Sequence, residues 1–218
     1  VTATAPDPPT ATAPARIADR AIDAAERLLL LALYAWLVVR LVDGYLRGGG
    51  AASLLILPSE GLVVAFMLLR RRASAISRRP GEWALAIAAT SAPFLVAPAG
   101  GASLVPPVVG ATVLVMGLLV QIHAKLTLGR SIGCIPAHRG LKLGGPYRLV
   151  RHPMYAGYLL SHLAFLAMNP SVRNLAVYSA CYALQIPRLL AEERLLGRDP
   201  EYLAYRASVR YRLVPGLF

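Results

Sequence analysis

Six long apolar segments, separated by loops of alternating charge, constrain this chain more tightly than any other feature. They run over roughly Leu28–Leu46, Ser53–Leu69, Trp83–Ala99, Leu104–Leu126, Met154–Met168 and Val172–Leu190. A bilayer core takes about 20 apolar residues per helix, and the six segments meet or approach that length. Lys and Arg collect in every second connection. Arg16, Arg20 and Arg27 precede the first segment; Arg70, Arg71, Arg72, Arg78 and Arg79 follow the second; Arg130, Arg139, Lys142, Arg148 and Arg151 follow the fourth. The other connections hold little charge: Arg47 beside Gly48-Gly49-Gly50, none in Pro98–Ser103, and Arg173 after Asn169-Pro170-Ser171. Basic loops stay on the cytoplasmic side. Parity and charge therefore agree on six spans with both termini in the cytoplasm. The expected fold class is all-α, a polytopic integral membrane helical bundle of about six transmembrane helices.

Composition narrows the function classes. Apolar residues make up 56% of the 218 and charged residues 16%, against about 25% charged in soluble domains. The net charge of +12 admits a nucleic-acid binder, but the Arg residues fall between apolar runs and build no continuous basic surface. Membrane topology and attraction to anionic headgroups account for them better, and no nucleic-acid partner is expected. Cys134 and Cys181 read as free thiols. His123, His138, His152 and His162 lack paired metal-ligand spacing, so no metal is expected. Neither a dinucleotide-binding nor a Walker-type glycine pattern is present.

The chain divides into an Ala/Pro/Thr-rich tail over 1–24, expected to be flexible and disordered to about Ala15, N-terminal helices over 25–127 and a chemistry-bearing region over 128–218. The tail lacks the apolar core of a signal peptide, so the first apolar helix is expected to act as the insertion signal. After Leu190 charged residues alternate with Leu195, Leu196, Tyr202, Leu203, Tyr205, Val209 and Tyr211. Asp199-Pro200 starts a fresh helix there. This amphipathic C-terminal helix reads as lying in the interface or as a lid over a site, and the two are compatible.

The stretch from Gly145 to Gly157 packs two Arg, one His, two Tyr, two Pro and two Gly into the mouth of the fifth segment. Glu192 and Glu193 are the first carboxylates after Glu82. Asn169-Pro170-Ser171 is a tight turn and a helix N-terminus signal, which makes the fifth and sixth segments a hairpin. The hairpin returns Arg188, Glu192 and Glu193 to the neighbourhood of His152 and Tyr155, as a site for a polar ligand at a membrane surface requires. Arg188 and Glu192 are four apart and share one helix face. Read alone, they form a local ion pair worth a few tenths of a kcal/mol.

Gly-Pro-Tyr-x-x-Val-Arg-His-Pro-x-Tyr-x-Gly, followed by Arg188-x-x-x-Glu192-Glu193 and Tyr202-x-x-Tyr205-x-x-x-Val209, resembles the isoprenylcysteine carboxyl methyltransferase family, which stands with the phospholipid methyltransferases. The resemblance covers roughly Leu128 to Phe218. It implies a catalytic loop on the cytoplasmic side and S-adenosylmethionine as methyl donor. Carried over by motif, the donor contacts are Tyr147, His152, Pro153, Met154, Tyr155 and Glu192, with Arg139, Gly140, Leu141 and Lys142 from the segment before. The family often has His-x-Leu-Val where this chain has Arg139-Gly140-Leu141-Lys142. Arg188 matches an arginine near the methyl acceptor and is the candidate catalytic residue. The acceptor is expected to be lipophilic or interfacial and to arrive from the bilayer. Its identity and the oligomeric state are open.

The chemistry fits. Glu192 can accept hydrogen bonds from the donor's amine or diol, His152 and a nearby Arg can hold its carboxylate, and Tyr147 and Tyr155 can stack on adenine or face the sulfonium. Arg188 suits an anionic acceptor. Elsewhere, Arg40 reads as pairing with Asp43, and His162 as a packed, hydrogen-bonded histidine. Glu60 has no partner in sequence and reads equally as functional or as an interhelical hydrogen bond. His123 and Lys125 either reach the site or snorkel. Two other readings stay open: a sterol-reductase-like membrane enzyme using NADPH, and a non-catalytic transporter or scaffold.

Overall fold

The computed structural model describes residues 13–47, 57–71, 73, 75–99 and 101–218. The expected tail over 1–12, the Gly48-Gly49-Gly50 loop, the start of the second apolar segment and Arg72 lie outside the described residues. Among the described residues seven α-helices form the body: α1 (Ala13–Leu46), α2 (Leu57–Leu68), α3 (Pro80–Ser91), α4 (Pro107–Leu128), α5 (Pro153–Met168), α6 (Val172–Leu196) and α7 (Pro200–Ser208). Each expected apolar segment overlaps a helix, although α3 ends at Ser91, where the third segment is expected to run on to Ala99. Residues 13–24, expected as tail, are instead the first turns of α1. One addition to the all-α expectation is a two-residue antiparallel ribbon, β1 (Ala75–Ile76) with β2 (Ala137–His138), in register Ala75↔His138.

Two helical stretches, Ala21–Leu46 and Pro107–Ser131, are long and apolar enough to cross a membrane. Only 17% and 28% of their most apolar windows is buried within the chain. Val39, Leu46, Val108 and Leu119 point outward, as a surrounding apolar medium requires. At 12 residues each, α2 and α3 reach roughly 18 Å at 1.5 Å per residue.

Small residues set the main helix crossing. A Cβ on Gly117 would lie 2.3 Å from Ser161 Oγ, and one on Gly157 would lie 2.8 Å from the Gly117 carbonyl. The backbones of α4 and α5 therefore approach as closely as small-residue contacts allow. Gln121 Nε2 donates to Ser161 Oγ at 2.9 Å across this contact. One turn on, the buried Lys125 amino group meets Glu60 at 2.9 Å and Ser59 Oγ at 2.7 Å, pinning α2 to α4. Lys125 thus neither snorkels nor reaches the cleft described below, and Glu60 has its partner.

The Asn169–Ser171 turn forms as expected. Ser171 Oγ caps α6 by accepting from Asn174 N at 3.1 Å. Asn174 is buried and donates to the Asn169 and Ala97 carbonyls, each at 2.9 Å. Arg40 departs from expectation: it reaches the Phe94 and Val96 carbonyls, while Asp43 pairs with Arg47 at 2.9 Å, one turn on. His162 is packed, with Nδ1 at 2.9 Å from the Tyr182 hydroxyl and its ring stacked on Tyr178.

The loop after α4 is part of the core. Ile132, Cys134 and Ile135 are buried among Leu30, Tyr34 and Leu37 of α1, Val63 and Met67 of α2, and Ala86 of α3. A second cluster gathers Ala124 and Tyr147 around Tyr202, Tyr205 and Val209 at the C-terminal end.

Candidate active site

Pro153 opens α5 at its first turn, where a missing N–H costs nothing, and His152 is the residue before it. A 3-10 turn over Gly145–Arg148 carries Tyr147. The Tyr205 hydroxyl donates to the Tyr147 carbonyl at 2.7 Å and ties that turn to α7. Between this turn, the loop over 131–143 and the ends of α5, α6 and α7 lies an open cleft of about 870 Å³. Arg139, Gly140, Leu141 and Lys142 line one side; Tyr147, His152, Met154, Tyr155 and Glu192 line the other. Nine of the ten expected donor contacts thus share one wall system. The tenth, Pro153, is buried beneath it and sets the start of the helix.

The two neighbouring glutamates divide in role. Glu193 turns inward and holds three basic groups: Arg151 Nε at 2.7 Å, Arg212 Nε at 3.0 Å and His152 Nε2 at 3.2 Å. Burial alone would raise its carboxyl. The bonds from His152, Arg151 and Arg212 outweigh that and hold it down at about 2. The backbone joins the same clasp, since Arg151 N and His152 N donate to the Tyr211 and Arg212 carbonyls, each at 2.9 Å. Glu192 faces the cleft. It accepts from the Tyr155 hydroxyl at 3.3 Å and has no basic partner among the described residues.

Arg188 does not line this cleft. It lies behind Tyr155, with its guanidinium carbon 5.4 Å over that ring. Nε and Nη2 donate to the Cys134 carbonyl at 3.2 and 2.8 Å, and Nη1 donates to Gln185 Oε1 at 3.1 Å and to Thr90 Oγ1 at 3.3 Å. The local ion pair with Glu192 does not form; the Tyr155 ring lies against the guanidinium and its hydroxyl reaches Glu192. Every other buried Lys or Arg among the described residues meets a carboxylate: Arg70 and Arg139 meet Glu26, Lys125 meets Glu60, and Arg151 meets Glu193. Arg188 has only neutral partners. Beyond Tyr155 a second, smaller recess of about 280 Å³ is lined by Tyr158, Tyr182, Gln185, Ile186, Leu189 and Leu213. Tyr155 lines both spaces.

Sequence reasoning missed what holds the loop in place. Glu26 of α1 is 1% exposed. Its carboxylate accepts from Cys134 N at 2.8 Å and Ile135 N at 3.0 Å, and pairs with Arg139 at 2.9 Å and Arg70 at 3.0 Å. Asp23 adds contacts to Arg70 and Arg139. The signal available was the three acids, Asp19, Asp23 and Glu26, interleaved with the three arginines of the N-terminal flank. Arg139 therefore lines the cleft with a guanidinium already committed to α1, whereas Lys142 on the same wall has no carboxylate partner among the described residues.

The fold and site define a helical protein with membrane-length apolar helices and a ligand cleft built from loops at one end. Residues 105–199 match the family model described as phospholipid methyltransferase. Protein-S-isoprenylcysteine O-methyltransferase A of Arabidopsis thaliana is 31% identical over 109 residues, which is 46% of this chain and 55% of that protein. The chain thus spans about half the length of the curated relative it matches. The solved structure of the eukaryotic intramembrane Ras methyltransferase, isoprenylcysteine carboxyl methyltransferase, without a monobody, aligns over 91% of this chain and 77% of its own, with 18% identity and a TM-score of 0.49. Residues 105–199 are thus similar to the phospholipid methyltransferases, and part of the chain is similar to an isoprenylcysteine O-methyltransferase. The match begins at 105, two residues before α4, ahead of the 128–218 region that the motifs alone suggested.

Proposed function

We propose that this protein is an integral-membrane, S-adenosylmethionine-dependent methyltransferase acting on a lipophilic or interfacial acceptor that carries an anionic group. Its six apolar helices span the bilayer, both termini and the site face the cytoplasm, and α7 lies at the interface. One observation carries the reading. Tyr155 touches both a carboxylate with no ion pair among the described residues, Glu192 in the larger cleft, and a buried cation with none, Arg188 behind it. A cationic donor on one side and an anionic acceptor on the other would complete both.

The cleft's residues fit the donor. Glu192 would take its ammonium or ribose hydroxyls, and Lys142 its carboxylate. Leu128, Leu141, Leu143 and Leu196 offer adenine an apolar wall. His152 and Arg139 support this wall through Glu193 and Glu26 and contribute no free charge to it. When bound, S-adenosylmethionine supplies an electrophilic methyl group, and the protein's share is alignment and the exclusion of water. Arg188 would orient the acceptor's anion across the second recess together with Gln185, whose amide oxygen already accepts from Nη1. A carboxylate or thiolate held there needs no general base. An ammonium acceptor would meet repulsion from Arg188.

A nicotinamide-dependent reductase requires free basic groups for the nucleotide phosphates. The two arginines lining the cleft, Arg139 and Arg151, are both bound to carboxylates, which disfavours that reading. Thermal-shift titration of the detergent-purified protein with S-adenosylhomocysteine and with NADPH tests the donor. Stabilisation by the former is expected, and stabilisation by NADPH alone overturns the proposal. Labelled donor with lipid extracts then identifies the acceptor, and label appearing only in lipid amines overturns the anionic assignment.

A further inference from the structure

Tyr202 is 3% exposed, and its hydroxyl is buried without a hydrogen-bond partner. A buried phenol normally finds one, because leaving such a group unsatisfied is costly. The other buried tyrosine of α7 obeys the rule: Tyr205 donates to the Tyr147 carbonyl at 2.7 Å. The two rings stand 5.9 Å apart on the same helix, and only one of the two hydroxyls has a partner. Tyr202 lines the larger cleft. It does so within the apolar cluster of Ala124, Tyr147 and Val209, with Leu128, Leu141, Leu143, Met154 and Leu196 packed around it. A buried polar atom without a protein partner, on a side chain that lines a cleft, is the kind of group that fixes a small molecule's orientation.

We propose that Tyr202 is a ligand-binding residue: its hydroxyl makes the polar contact to the nucleoside half of the methyl donor, whose apolar face the surrounding leucines receive. Helix α7 then forms the fourth wall of the donor site, and the Asp199 cap that starts it, accepting from Glu201 N at 2.8 Å, positions a binding residue. A phenol both donates and accepts, so it can serve a purine ring nitrogen or an exocyclic amine. The proposal rests on the donor reading given above.

The test compares Tyr202→Phe with Tyr205→Phe in the full-length protein, by calorimetry with S-adenosylhomocysteine and by thermal unfolding without ligand. Tyr202→Phe is expected to weaken binding about 3- to 10-fold, the range of one net hydrogen bond, while the ligand-free midpoint stays level or rises, because no protein bond is lost. Tyr205→Phe is expected to lower the ligand-free midpoint. Wild-type affinity in Tyr202→Phe would overturn the proposal. So would a ligand-free midpoint lowered as far as in Tyr205→Phe, since the hydroxyl would then have a protein partner. A wild-type protein that does not bind S-adenosylhomocysteine would instead remove the donor reading itself, and this proposal with it.

Discussion

The guanidinium of Arg188 stands 5.4 Å over the ring of Tyr155, and the hydroxyl of that same ring reaches Glu192 on its far edge. One side chain thus contacts two opposite charges that lie one helical turn from each other. Had they paired, each would have cancelled the other's affinity for a ligand.

Separated charges predict separable defects. Glu192→Gln should weaken S-adenosylhomocysteine binding by about 10-fold or more, as expected for a charge-assisted bond worth roughly 1.5–3 kcal/mol, and leave thermal stability nearly unchanged. Arg188→Gln should abolish methyl transfer to the acceptor while binding of S-adenosylhomocysteine stays within about threefold, the size of a small indirect effect. Calorimetry alongside a labelled-methyl assay reads both. Equal loss of binding in the two variants would refute the division of labour.

How much of this was legible beforehand depended on sequence separation. The hairpin at Asn169–Ser171 is encoded locally by turn chemistry, so the meeting of Tyr155 with Glu192 followed from helix lengths alone. Glu26 and Cys134 are 108 residues apart, and no periodicity links an acid in α1 to the backbone of a loop after α4. The pairing exists because α1 begins at Ala13, earlier than its apolar run, and presents Asp23 and Glu26 to the loop. The fate of Arg188 and Glu192 was illegible for another reason. Spacing of four places them on one face but cannot reveal a third side chain that engages each of them separately.

The Glu26 hub makes a strong stability prediction. Removing its carboxylate leaves Arg70 and Arg139 buried with less compensation and deprives the Cys134 and Ile135 amides of their acceptor. Breaking a buried pair of this kind typically costs about 3–5 kcal/mol. Glu26→Ala should therefore lower the unfolding midpoint sharply and weaken S-adenosylhomocysteine binding through the loop. A variant with the wild-type midpoint would show that the loop is held from elsewhere.

Lys125 and Glu60 form a buried pair that serves packing between α2 and α4. Lys125→Met alone should destabilise by about 3 kcal/mol or more, because Glu60 is left uncompensated. Adding Glu60→Gln should recover part of that loss, a coupling measurable as a double-mutant cycle. Neither change should alter the donor's affinity beyond the effect of stability. Loss of binding in a stably folded double variant would place the pair in the site.

Acid should reveal the clasp around Glu193. Its carboxyl is held at about 2 in the folded protein against an ordinary 4.5, so the clasp's contribution is fully present above about pH 4.5. That contribution is lost as pH falls from there through about 2. Glu193→Gln should lower the melting temperature at neutral pH, since Arg151 and Arg212 lose their carboxylate. The gap between wild type and variant should then shrink as the solution is acidified through this window, because protonation makes the wild type resemble the variant. Melting curves at stepped pH in one detergent measure the gap directly. A gap that widened on acidification would mean that the carboxyl is raised rather than depressed by its surroundings, and that Glu193 is not the anion joining the motif loop to the C-terminal segment.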